Sequence, residues 1–390
     1  MAARRSPLAI IFVTVFIDLV GFGIVIPVLP LYTERFGASP LVIGLLLGVY
    51  SAMQCLCAPL LGKLSDRIGR RPVLLLSLLG TAFGFLLMGL ARSLPLLFAA
   101  RIIDGATGGN ISTAMAYIAD VTPPAERSRR MGLVGAAFGL GFIFGPAIGG
   151  LLSHVSMGAP FLFAAALALA NATAVYFLLP ESLPPERRKQ AREHTAIAEI
   201  FHGAKGRALT VVIATYFFST VAFSLLTATY PLFTERRFGY GPSQNGYIFA
   251  GQGVLGALIQ GGLLGWLLRV FNEKRLVLFG AALLTVSLFA LPTSLTVPTL
   301  LLTTAGIGIG HGLMNAPLNG LASRDVGPAL QGRALGVMQS TASVSRVVGP
   351  VLGGWLLNHD AGLSASQFGQ TPYWAGAAIM LIACALAVVL

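Results

Sequence analysis

Only 10% of the 390 residues are charged, yet five ionisable side chains fall inside long apolar runs: Asp18, Arg101, Asp104, His311 and Arg346. A charge at mid-bilayer costs roughly 2.5–3.5 kcal/mol on insertion scales, so such residues persist there for a purpose. Arg101 and Asp104 stand three apart, on neighbouring parts of one helical face. Desolvation favours the neutral form of a carboxyl, whereas a nearby guanidinium favours the ionised form. An acid held between these pulls can take up a proton on one side and release it on the other. Arg101 keeps its charge throughout, which suits a fixed counter-ion. A static ion pair between Arg101 and one acid is the plainer reading, but it leaves the other acid unexplained. Proton exchange uses both, with Asp18 ahead of Asp104. Arg346 either holds an anionic group or pairs with a carboxylate. His311 either titrates near neutrality or donates to a backbone carbonyl, and the structural role is the reading adopted.

The elements that position these residues follow from composition. The chain is 55% hydrophobic, with a mean hydropathy of +0.80, whereas a soluble domain carries about 25% charged residues. Apolar runs of about 20 residues recur along its length, each long enough to cross a hydrocarbon core as a helix. The spacing predicts twelve spans, at 8–30, 41–62, 73–91, 95–119, 131–152, 159–179, 209–232, 243–268, 276–291, 297–320, 334–357 and 372–390. These boundaries place all five ionisable residues roughly 15–25 Å from the cytoplasmic edge, at 1.5 Å per residue. The first apolar run is too long for a signal peptide and lacks a small-residue cleavage site, so it is expected to remain as span one.

The formal charge of +12 does not point to nucleic acid, because it is one-sided. With the N-terminus inside, twenty Lys and Arg fall in cytoplasmic segments and four in outer loops, the positive-inside asymmetry. Cys55 and Cys57 point to different helix faces, and no second pair or histidine completes a metal set.

The stretch PESLPPERRKQAREHTAIAEIFHGAKGR reads as a cytoplasmic linker, with one amphipathic helix around 196–202. It divides the chain into an N-terminal bundle (1–180), a linker (181–208) and a C-terminal bundle (209–390). The halves repeat. LPLYTERFGASPLVIG resembles YPLFTERRFGYGPSQNG, and Gly132, Gly145, Pro146, Gly149 and Gly150 match Gly336, Gly349, Pro350, Gly353 and Gly354 at a constant offset of 204. A parallel duplication of this kind places a binding site between the halves near the midplane. The GIGIGHG run follows no strand, so close helix packing explains it better than a nucleotide loop.

Residues 62–72, GKLSDRIGRRP, are a charged clause between two uncharged spans. Gly62 is expected to let helices approach and Gly69 to permit a tight turn. Asp66 could face the start of span eleven, with Arg70 between Asp66 and Asp120. The clause resembles the loop signature between the second and third spans of the major facilitator superfamily. GLGFIFGPAIGG, with Gly141, Gly145, Pro146, Gly149 and Gly150, resembles the signature of its proton-driven drug antiporters. DLVGFGIVIPVLP and ARIIDGATGGNISTAMAYIADVTPP resemble the tetracycline-exporter branch.

The resemblance implies an all-α membrane fold of two pseudo-symmetric six-helix bundles, with spans one and four lining a cavity where Asp18 approaches Arg101 and Asp104. It implies that Gly62, Asp66, Gly69, Arg70, Arg71 and Asp120 latch the halves when the cavity opens outward; the plainer reading is a topology signal, which Arg70 and Arg71 would serve unaided. Since GLLGWLLRVFNEKR in the second half has no acid matching Asp66, the latch is expected to act from one side. The glycines and Pro146 of span five are expected to pack tightly and seal one side as the halves rock.

Three polar positions of the tetracycline exporters fall on Gly84, Gly256 and Leu284 here, which removes determinants of the magnesium–drug chelate. Cavity-facing candidates are Gln54, Asn110, Tyr117, Gln252, Gln260, His311, Asn315, Asn319, Gln339 and Arg346, a set suited to amphipathic drugs or lipids. The expected function is proton-coupled export of amphipathic small molecules, with a nutrient symporter or facilitator as the alternative. No enzyme chemistry is expected, since no nucleophile–base or metal set, HExxH or GxSxG occurs. Nor is a cofactor: the proton gradient supplies the energy. The expected partners are a small-molecule substrate, protons and the lipid bilayer, with the protein acting as a monomer in a bacterial inner membrane.

Overall fold

The computed structural model describes residues 7–123, 126–184, 203–324 and 331–390, with the backbone alone at 127–129, 203–205 and 331–333. The linker helix expected around 196–202 lies outside the described residues. The helices are α1 Pro7–Glu34, α2 Pro40–Ile68, α3 Arg70–Gly89, α4 Leu94–Thr107, α5 Asn110–Val121, α6 Arg127–Leu152 and α7 Ala159–Leu178, then α8 Gly203–Phe238 and α9 Pro242–Leu258. A π turn, Ile259–Leu263, leads to α10 Leu264–Val270. It is followed by α11 Glu273–Ala290, α12 Val297–Arg324, α13 Gln331–His359 and α14 Gln370–Val389.

Among the described residues, ten helices are long and apolar enough to cross a membrane, taking Pro242–Val270 as one. The other two expected spans depart for legible reasons. Span four is broken by Gly108 and Gly109 into α4 and α5, where a continuous helix was expected. Span eleven is α13, whose QSTASVSR stretch dilutes its apolar character. The fold is all-α with twelve spans, the architecture by which a chain pairs its backbone groups in hydrocarbon. Large apolar side chains such as Phe177 (74% exposed), Leu302 (74%) and Val389 (74%) stand on the outside, where lipid rather than water suits them.

The chain forms two compact units. In the first, α1 packs on α6 and α7, and α3 packs on α4 and α7. In the second, α8 packs on α13 and α14, and α11 packs on α12 and α14, the same pattern one repeat later. Gly37 and Gly239 follow the equivalent helices α1 and α8 with φ of 76° and 66°, left-handed turns that glycine enters without strain. The units are not simply the two halves of the sequence. Ala38–Gly48, at the start of α2, groups with the second unit, and Pro242–Ala250, at the start of α9, groups with the first.

Candidate functional site

The helix break builds the intramembrane site. At Gly108 the backbone leaves the α4 helix, and the freed Gly108 carbonyl accepts a hydrogen bond from Gln54 Nε2 at 3.0 Å. Such compensation is what allows a broken helix at membrane depth. The break sets Asn110, fully buried, at the start of α5, where its Nδ2 donates to Asp18 Oδ1 at 2.7 Å. On α4, Arg101 Nη1 meets Asp104 Oδ2 at 3.3 Å, both side chains almost wholly buried. The Arg101 guanidinium lies over the Tyr50 ring, 4.2 Å from its centroid, a cation–π contact strengthened by the absence of water. Asp104 is also hydrogen-bonded to Thr81.

Small residues let the helices close on this cluster. A Cβ at Gly105 would run into the Tyr50 carbonyl, and one at Gly84 would lie 2.8 Å from Asp104 Cβ. Gly84 therefore gives α4 its close approach beside Asp104, and a side chain there would require the two helices to shift. Asp18, Phe22, Tyr50, Thr81, Phe85, Arg101 and Asp104 line a small cavity, with room for about one water. Arg101 Nε and Asn110 Oδ1 are buried beside it and make no hydrogen bond. Two acids facing one arginine carry one surplus negative charge when both are ionised, so the cluster is chemically a site for one proton. Asp104 belongs to the ion pair, whereas Asp18 holds only an amide and is the more open of the two.

Other sequence candidates fall differently. Tyr117 is not a cavity residue: it is fully buried in the core beside Leu74, Leu78 and Val175, and its hydroxyl donates to the Pro180 carbonyl at 2.8 Å. Gln252 Nε2 donates to the Thr304 carbonyl at 3.3 Å, while Gln260, in the π turn, and Gln339 are exposed. On α12, His311, Asn315 and Asn319 form a ladder, Asn319 Nδ2 donating to Asn315 Oδ1 at 3.0 Å and Asn315 Nδ2 standing 3.4 Å from His311 Nε2. His311 stacks on Phe223, centroids 3.9 Å apart and planes 7° from parallel, so its partners are a ring and an amide rather than the expected carbonyl. Arg346 Nη2 donates to Ser343 Oγ at 3.1 Å and interacts with Tyr216. Leu284 is fully buried, and among the described residues no group lies within 4 Å of a Cβ placed at Gly256.

The clause at 62–72 forms a second charged cluster, where the end of α2 and the start of α3 meet the end of α5. Gly69 ends α2 with φ 109° and ψ 161°, a backbone that disfavours any side chain. Arg70, 3% exposed, bridges Asp66 Oδ1 at 2.7 Å and Asp120 Oδ2 at 3.0 Å, and donates to Ser65 Oγ at 2.6 Å. Glu181, which sequence reasoning missed, accepts the backbone amides of Arg70 (2.9 Å) and Arg71 (3.2 Å) at the start of α3. Its PES context just after span six was the available signal. Arg71 donates to the Tyr176 carbonyl. Among the described residues nothing lies within 4 Å of a Cβ placed at Gly62. The expected meeting of Asp66 with the start of span eleven falls at residues 331–333, whose side chains lie outside those described.

The span-five glycines serve two contacts. Cβ atoms at Gly145 and Gly149 would lie 2.7 Å from Gly23 Cα and 3.0 Å from the Ile24 carbonyl of α1, and Gly141 abuts Leu19. Gly150 faces Pro242 and Ser243 at 3.1 Å, and Gly246 faces the Pro146 carbonyl. The repeat reproduces this seam: Gly349 and Gly353 press on α8, while Gly354 meets Pro40 and Gly44 meets the Pro350 carbonyl.

Residues 11–350 match the family profile described as Major Facilitator Superfamily. The chain is 36% identical to the class C tetracycline resistance protein of Escherichia coli, over 97% of this chain and 95% of that one. It is 30% identical to multidrug resistance protein 2 of Bacillus subtilis, over 91% and 90%. Its fold is similar to that of a bacterial homologue of the human lysosomal transporter Spinster, with a TM-score of 0.81 at 16% identity over 98% of this chain and 95% of that one.

Proposed function

The chain belongs to the Major Facilitator Superfamily, and from that premise we propose that it is a proton-coupled exporter of amphipathic small molecules, working by alternating access. The observation that carries the coupling is a small cavity onto which Asp18, Asp104 and Arg101 all open. One proton neutralises the surplus charge there. Asp18 is the exchanging acid, and Arg101 with Asp104 forms the fixed pair. The relatives bear the names of tetracycline and multidrug resistance proteins. Gly84, Gly256 and Leu284 supply no polar group for a metal–drug chelate, so amphipathic molecules without such a chelate are the substrates the chain favours. The excess of basic residues on one surface supports an inner-membrane protein with its N-terminus and central segment in the cytoplasm. It acts as a monomer, needs no cofactor, and performs no enzyme chemistry.

The test uses proteoliposomes with an imposed pH gradient and a panel of tetracycline, cationic dyes, organic anions and lysolipids. At least one amphipathic solute is expected to move uphill as protons cross the other way; solute movement unaffected by collapsing the gradient would count against proton coupling. The Arg70 cluster is the latch of this cycle. Asp66→Asn, which weakens the cluster at its most exposed acid (58% exposed), is expected to abolish transport at unchanged membrane abundance. Normal transport by that variant would reduce residues 62–72 to a topology signal.

A further inference from the structure

The second unit carries a counterpart of the Arg70–Asp120 pair of the surface clamp, with its charges exchanged. Aligned by the repeat, Asp66, Arg70 and Asp120 fall on Arg269, Glu273 and Arg324, at shifts of 203, 203 and 204 positions. All three signs are reversed. The geometry is kept where it matters: Arg70 at the start of α3 meets Asp120 in the last turn of α5 at 3.0 Å, and Glu273 at the start of α11 meets Arg324 at the end of α12 at 3.1 Å. Glu273 is only 12% exposed, and Gly320 keeps the space for it, since a Cβ there would lie 3.2 Å from Glu273 Oε1. The carboxylate is mostly buried with room beside it, while Arg324 reaches it from the exposed side at 71% exposure.

Helix electrostatics separates the two clamps. Glu273 sits at the positive end of α11 and Arg324 at the negative end of α12, the favourable arrangement at both. Arg70 and Asp120 sit at the unfavourable ends of α3 and α5, and the first unit offsets this with Glu181 on the α3 amides. In the second unit Asn272 accepts the Arg275 amide at 2.9 Å and caps α11, leaving Glu273 to Arg324. The first unit's polarity is thus imposed by its need for Asp66 beside Arg70, while the second unit takes the polarity its helices prefer.

We propose that Glu273 and Arg324 are positioning residues for transport, a charge-mirrored clamp that holds the start of α11 to the end of α12. The inference rests on the chain being a transporter, and the wild-type assay tests that reading separately. Glu273→Arg and Arg324→Glu are each expected to lower turnover about tenfold, as leaving a mostly buried charge against its like does, with KM within about twofold. The double exchange, which restores opposite charges, is expected to recover turnover to within about threefold. Since a structural defect would lower membrane abundance or thermal stability, both are measured in parallel. Should the reversals fail to insert, Glu273→Gln and Arg324→Gln take their place, with the same loss of turnover expected. Wild-type turnover in the single variants, or a double exchange no better than either single at normal abundance, overturns the proposal. Absence of proton-driven transport by the wild type would instead overturn the functional reading beneath it.

Discussion

Asp18→Asn is expected to end uphill transport while leaving the protein folded, inserted and able to let solute run downhill. An amide at position 18 can still accept the hydrogen bond that Asn110 Nδ2 donates to Asp18 Oδ1, so the substitution removes a proton-binding group and little else. Proton-driven accumulation should fall to background, a drop of roughly a hundredfold or more, the scale on which single proton-transfer groups act. Downhill exchange in the same vesicles should persist, and its rate should no longer follow the pH gradient. Asp104→Asn provides the contrast. It leaves the Arg101 guanidinium, 2% exposed, without its ion-pair partner, at a cost of about 3–5 kcal/mol. That variant should lose stability and abundance along with coupling. If Asp18→Asn still drove accumulation from a pH gradient, the coupling group would lie elsewhere.

The second large effect is expected at Gly246. A Cβ there would collide with the Pro146 carbonyl and come within 2.9 Å of Gly150 Cα, so Gly246→Leu forces the start of α9 away from α6. Overpacking of a close contact costs about 1–3 kcal/mol, and each 1.4 kcal/mol lowers the population of the seam-closed arrangement about tenfold. The seam joins segments far apart in sequence, whereas each helix keeps its own hydrogen bonds. Transport should therefore fall tenfold or more at normal abundance. Gly44→Leu, which meets the Pro350 carbonyl at the repeated seam, should behave alike. A cysteine pair at the seam, crosslinked in the parent and not in the Leu variants, reads the opening directly. Unchanged crosslinking and transport would show that the glycines only fill space.

By itself the sequence determined the architecture, because hydrocarbon imposes the rules. Runs of about 20 apolar residues must be helices, and the repeated landmarks around Pro146 and Pro350 pair the halves from residue types alone. It also named the acids and arginines at membrane depth, since charge there is costly enough to be conspicuous. Which acid pairs with Arg101, by contrast, depends on side-chain contacts that residue types cannot rank. Only the tertiary structure gave Asp104 to Arg101 and Asp18 to Asn110, through a break at Gly108 that the apolar pattern of span four conceals. Tyr117 reads as a cavity residue from composition and is core, because one span's polar face meets its neighbours at angles the sequence does not encode. Glu181 and the mirrored Glu273–Arg324 pair were out of reach for the same reason. Each joins chain segments more than fifty residues apart, and only folding brings those charges within hydrogen-bonding range, where a Coulomb interaction acquires its sign and strength.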